Sequence, residues 1–130
     1  MSSCFRHEET LMPWLSALQT DAPVKGVKRL VSPLEYKRWD GDVITVPTGF
    51  PSDGATTGIA GWLLSPWDRH YSAAAVVHDW LCVMSHQGLC KRSFADDTFD
   101  QAMRDMGTPA WEHWLLIHAV KLFTKFKGEK

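Results

Sequence analysis

The segment from Tyr71 to Ser85, YSAAAVVHDWLCVMS, holds a single adjacent pair of ionisable groups, His78 and Asp79, and no other residue that normally carries charge. Its apolar residues do not keep to one face, so as a helix it belongs in an interior rather than on a surface. An ionised carboxylate buried there costs on the order of several kcal/mol unless a cation, a metal or a hydrogen-bond donor meets it. The chain must therefore fold around this pair. It becomes either a satisfied structural knot or the centre of a site.

At 130 residues the chain predicts one domain, 1–130, able to bury a core without disulfide staples. Its 14 Lys and Arg nearly balance 15 Asp and Glu. No basic face of the kind a nucleic-acid binder needs is expected from that balance. Lys121, Lys125, Lys127 and Lys130 read as charges that complement a helix C-terminus. Cys4, Cys82 and Cys90 form no CxxC pair and leave an odd count, which suits a reducing compartment, with Cys82 as a small hydrophobe. Arg6, His7, Glu8 and Glu9 predict no signal peptide, and no run is long enough for a transmembrane helix.

An arm is expected over 1–24, with a short apolar group from Leu11 to Leu18. Lys25–Val31 and Leu34–Trp39 alternate polar and apolar residues, and Asp40-Gly41 supplies a hairpin turn before Val43–Val46. This predicts a small antiparallel sheet over 25–47, ended by Pro47. A Gly-rich loop over 48–67 follows, punctuated by Phe50, Ala55 and Ile59, where Gly49 and Gly54 let backbone groups approach a ligand or ion closely. Trp62 and Trp67 in this loop are candidate contact residues, with the alternative that they cap the core.

The helical part is expected over 68–127. A first helix begins at Asp68 or Ser72 and ends near Ser85, with Gly88 as its cap. A second runs from about Ser93 to Met106 and stops at Gly107. There Asp96 lies three and seven residues before Phe99 and Met103, hence on the inward stripe, whereas Asp97, Asp100 and Arg104 fall on a solvated face. Pro109 opens a third helix whose apolar stripe is read as Trp111, Trp114, Leu115, His118, Leu122 and Phe126.

His78-Asp79, Asp96 and Asp53 thus converge. Water activation fits them: a neutral His takes a proton, a buried carboxylate orients the imidazole, and a second carboxylate holds a divalent cation. Neighbouring helix residues point about 100° apart, so His78 is expected to face Asp96, and Asp79 the loop. His78 and Asp96 are the catalytic candidates, Asp79 and Asp53 the metal candidates, and Gly49, Phe50, Gly54, Trp62 and Trp67 the binding candidates. Two alternatives stay open. The pair can brace the fold through backbone groups, and Ser52-Asp53-Gly54 is also ordinary turn chemistry. Tight transition-metal spacing is absent among His70, His78, His86, His113 and His118, and the chain lacks the length of an all-helical phosphohydrolase.

Four stretches, RLVSPLEY (29–36), VPTGFPSDGAT (46–56), AAVVHDWL (74–81) and ADDTFDQAM (95–103), resemble in order and spacing a phage and prophage family, domain of unknown function 1353. The resemblance spans about Arg29 to Phe123. It implies a viral origin, a place in the host cytoplasm or the virion, and other phage proteins or virion components as partners. A second resemblance, of layout, is to phospholipase A2 enzymes: a Gly-rich loop, a buried helix bearing His-Asp, and an Asp on a later helix. It implies calcium at Asp79, His78 as base and Asp96 as its orienter, although Cys82 stands where an aromatic hydroxyl is expected and the paired cysteines are missing.

The expected fold is α+β, a small antiparallel sheet packed on two or three helices. The expected function is a hydrolase centred on His78, Asp79 and Asp96, with Ca2+ as its candidate cofactor. The alternative is a virion or tail-associated structural or assembly protein. A modifier of a host protein is a third class with no particular residue behind it.

Overall fold

Alternation fixes the strands. The computed structural model describes residues 13–24, 27–52 and 71–127. It contains β1 (Thr20–Val24), β2 (Val27–Leu30), β3 (Leu34–Lys37), β4 (Val43–Val46) and β5 (Pro51–Ser52), then α1 (Ser72–His86), α2 (Arg92–Met106) and α3 (Ala110–Lys127). The fold class is the expected one: antiparallel strands in the first half and three helices in the second.

Instead of one sheet the described residues form two: a three-stranded sheet in the order β1-β2-β5, and the β3–β4 hairpin. Ser32-Pro33 breaks the run after β2, because proline donates no ladder hydrogen bond. The hairpin pairs Leu34 with Val46 and Tyr36 with Ile44, which sends Leu34, Tyr36 and Val46 into the core. Strand β1 lies in what the sequence suggested was an arm. It carries Pro23, tolerated because β1 is an edge strand, and its pairing with β2 is joined by an Arg29–Asp21 ion pair at 3.0 Å. Residues 13–16 run along β3, with the Leu15 N–H donating to Glu35 O at 3.0 Å and Trp14 packed on Tyr36.

The first two turns of α1 are buried, from Ser72 to His78, before Val83 emerges 37% exposed. Small side chains at Ala73, Ala74 and Ala75 let the neighbouring elements approach it closely. Helix α1 ends at His86 with Gln87 as its cap, one residue before Gly88 at left-handed φ +77°, and α2 ends at Met106 with Gly107 as its cap at φ +75°. Between them the helices contribute Val76, Val77, Phe99, Met103, Leu116 and Val120 to the core. Among the described residues no helix is long and apolar enough to cross a membrane.

Helix α3 corrects the expectation. It starts just after Pro109, but Trp111, Trp114 and Leu122 are 62%, 61% and 48% exposed, and His118 is exposed too. The buried positions are Glu112, Leu116 and Val120, four residues apart. Leu115 is half-buried, and the side chain of Phe126 lies outside the described residues. The helix is apolar nearly all round, so periodicity alone could not choose its inward face.

Candidate functional site

The hairpin sets α2 in place, and α2 carries Asp96. The buried Tyr36 hydroxyl donates to Asp105 Oδ2 at 2.6 Å, and Trp39 Nε1 donates to the same carboxylate at 3.0 Å. The Trp39 backbone N–H donates to Gln101 Oε1 at 3.0 Å. The Arg38 guanidinium lies 4.1 Å from the centre of the Phe94 ring and hydrogen-bonds Thr98 Oγ1. Burial, and next the bond to Asp105, push the Tyr36 phenol far above its ordinary range, so it stays a donor.

On the facing helix His78 meets Asp96. Nε2 and Oδ1 are 2.8 Å apart, and the two side chains are 7% and 8% exposed. The phase argument that selected Asp96 rather than Asp97 is met by this geometry, for Asp97 is exposed. A third member was not foreseen: Arg92, itself 4% exposed, places Nε 3.4 Å from the same Oδ1. The sequence signal was its position one helical turn before Asp96, which is also the spacing of many solvated pairs.

Burial lowers the pKa of His78, and the opposing pull of Asp96 does not restore it, so the imidazole is neutral near pH 7. Burial pushes the Asp96 carboxyl up, yet the hydrogen bond from His78 and the nearby Arg92 guanidinium outweigh it and keep the carboxylate ionised. A carboxylate only accepts, so the ring nitrogen facing it must be Nε2–H. That leaves Nδ1 with a lone pair. The imidazole is held further by stacking on Phe99, with centroids 4.7 Å apart.

Asp79 turns the other way, as expected. The Ser52 hydroxyl donates to its Oδ2 at 2.5 Å. Ser52 is placed there by pairing of β5 with β2, where Lys28 stands opposite Ser52. Gly49 makes this return possible: at φ +90° it occupies the turn that closes from the Phe50 N–H to Pro47 O, and its own N–H donates to Leu30 O at 2.7 Å. Phe50 packs edge-on against Trp80, with centroids 5.3 Å apart. Gly49 thus serves the turn, while Phe50 lines an open cleft of about 520 Å³ with Pro51, Ser52, Asp79, Cys82, Val83 and His86.

Cys82, one turn after His78, joins that cleft to the buried pair. Its Sγ lies 3.8 Å from Nδ1 and 3.7 Å from Nε2 of the imidazole. The sequence reads it as a small hydrophobe that stands where the phospholipase layout has an aromatic hydroxyl, and not as a member of the site. Asp100 also departs from its solvated reading: it accepts from His113 Nε2 at 2.5 Å and from Arg104 Nε at 3.3 Å. Asp53, Gly54, Trp62 and Trp67 lie outside the described residues.

Among the described residues no three His, Cys, Asp or Glu side chains are grouped to hold a metal ion. They offer Asp79 toward a calcium shell of about six to eight oxygens. What the arrangement can do is hold a neutral imidazole in one tautomer, with a fixed ionised partner behind it, near a cleft with apolar walls.

A family model described as protein of unknown function (DUF1353) matches residues 28–120. No curated protein and no solved structure matches the chain.

Proposed function

Because the chain belongs to the DUF1353 family, whose description assigns no activity, we propose its chemistry from its own site: hydrolysis, with His78 as general base and Asp96 as the group that orients it. The carrying observation is the 2.8 Å bond between His78 Nε2 and Asp96 Oδ1 inside the protein. It commits one nitrogen to the carboxylate and leaves Nδ1 to accept a proton from an attacking group. Asp96 stabilises the imidazolium formed in that step, and Arg92 holds Asp96 ionised. The apolar walls at Phe50, Pro51 and Val83 favour a substrate with an apolar portion.

The test is hydrolysis of a panel of chromogenic esters and phosphoesters by wild type, His78→Gln and Asp96→Asn, with folding followed by circular dichroism. Loss of about 10²-fold or more in folded variants is expected. Equal rates in all three would end the reading. The same assay with added calcium and with chelator examines a cation at Asp79 and Asp53: dependence that disappears in Asp79→Asn supports it, and indifference removes it.

A second reading, a contact protein of a larger assembly such as a phage particle, is favoured by Trp111 and Trp114, both exposed on α3. It expects His78→Gln to lower the melting temperature and to abolish no chemistry. Co-sedimentation with virion parts tests it.

A further inference from the structure

We propose that the attacking group is the thiol of Cys82, so that Cys82, His78 and Asp96 act in line on acyl substrates through a thioester. This rests on the hydrolytic reading above and specifies it. Among the described residues that line the cleft is Cys82, which also touches the imidazole, and not His78. A substrate entering beside Phe50 and Val83 therefore reaches the sulfur before it reaches the base. Behind the sulfur stand the imidazole and the Asp96 carboxylate, in the order that nucleophile, base and orienting group take in acyl transfer.

The sulfur is nearly equidistant from the two ring nitrogens, a position over the ring rather than along the Nδ1 lone pair. Proton transfer needs the thiol to come closer to the Nδ1 lone pair than the 3.8 Å of this arrangement. Such contacts are commonly loose before substrate binds. Asp79 places a carboxylate on the cleft wall, and among the described lining residues His86 is the one side chain able to carry positive charge. The Asp79 charge favours an uncharged carbonyl over an anionic group beside it.

In the first half-reaction Sγ bonds to the carbonyl carbon, the thiol proton passes to His78 Nδ1, and the carbonyl π electrons move to oxygen. Those electrons then re-form the carbonyl and break the bond to the leaving alcohol or amine, which takes the proton from His78. In the second, His78 removes a proton from water. The water oxygen attacks the thioester, and the carbon–sulfur bond breaks with return of the proton to Cys82.

Two measurements test the proposal. The first is labelling by iodoacetamide at pH 7, read by peptide mass spectrometry, with Cys90 as internal standard. Cys90 donates to Leu81 O at 3.5 Å, and burial raises its pKa. Cys82 is expected to react at least tenfold faster than Cys90 in wild type and to fall to its level in His78→Gln. Asp96→Asn serves as the milder variant should His78→Gln fail to fold. The second is incubation with p-nitrophenyl acetate, which should leave an acetyl group on the Cys82 peptide, absent from Cys82→Ala together with turnover. Cys82 reactivity equal to that of Cys90 overturns the proposal. So does His78-dependent turnover at the wild-type rate in Cys82→Ala, an outcome that leaves His78 as a base for water. An acetyl adduct that forms on Cys82 and is never released keeps the thiol as nucleophile and overturns the hydrolase.

Discussion

Asp96 is the residue on which the buried chemistry turns, since both His78 and Arg92 approach the same oxygen, Oδ1. Removing it as Asp96→Ala leaves a buried guanidinium without its carboxylate, and a loss of about 3–5 kcal/mol is expected in urea unfolding. Asp96→Asn retains an acceptor for His78 and should cost less. The pH dependence follows from His78. Its folded pKa lies below the ordinary 6.5, chiefly through burial. Between the two values the unfolded chain binds the proton and the folded chain does not, so stability falls as pH drops below about 6.5. The urea midpoint should decline from pH 7 to pH 5, and decline less in His78→Gln. Identical slopes for the two proteins would mean that His78 is not held neutral by folding.

Among the joints between elements, the one between the hairpin and α2 is the most open to test. Tyr36→Phe deletes the bond to Asp105 while Trp39 still donates to that carboxylate, so a loss of about 1–2 kcal/mol is expected. Tyrosine ordinarily ionises near 10.0, but the folded protein keeps Tyr36 protonated well above this. Wild type should therefore lose stability as pH rises past about 10, and Tyr36→Phe should lack that part of the alkaline decline. At the end of α2, Gly107 has φ +75° and open space where a Cβ would stand. Gly107→Ala should cost about 1 kcal/mol from backbone strain alone, measurable as a lower thermal midpoint without change in the helical spectrum.

For the whole molecule, the exposed aromatic stripe of α3 is the feature that folding leaves outside. Trp111→Gln with Trp114→Gln removes two rings that are more than half exposed. Thermal stability should change by no more than about 0.5 kcal/mol per site, while any self-association seen by sedimentation should weaken. A large destabilisation would place those rings in the core after all. Strands β2, β3 and β4, the glycines that follow α1 and α2, and the inward phase of Asp96 were legible in the sequence, because alternation, glycine and helical spacing are local properties that neighbours along the chain encode; β1 fell in the expected arm and β5 in the expected loop, since pairing across the chain defines them. The inward face of α3 was not, since a helix apolar on most sides carries no phase of its own, and Leu116 and Val120 won only by facing the rest of the core. Nor were Arg92 and Cys82 legible as members of the His78 group. A spacing of four places two side chains on one face, but only the packing of α1 against α2 decides whether that face meets water or a buried imidazole.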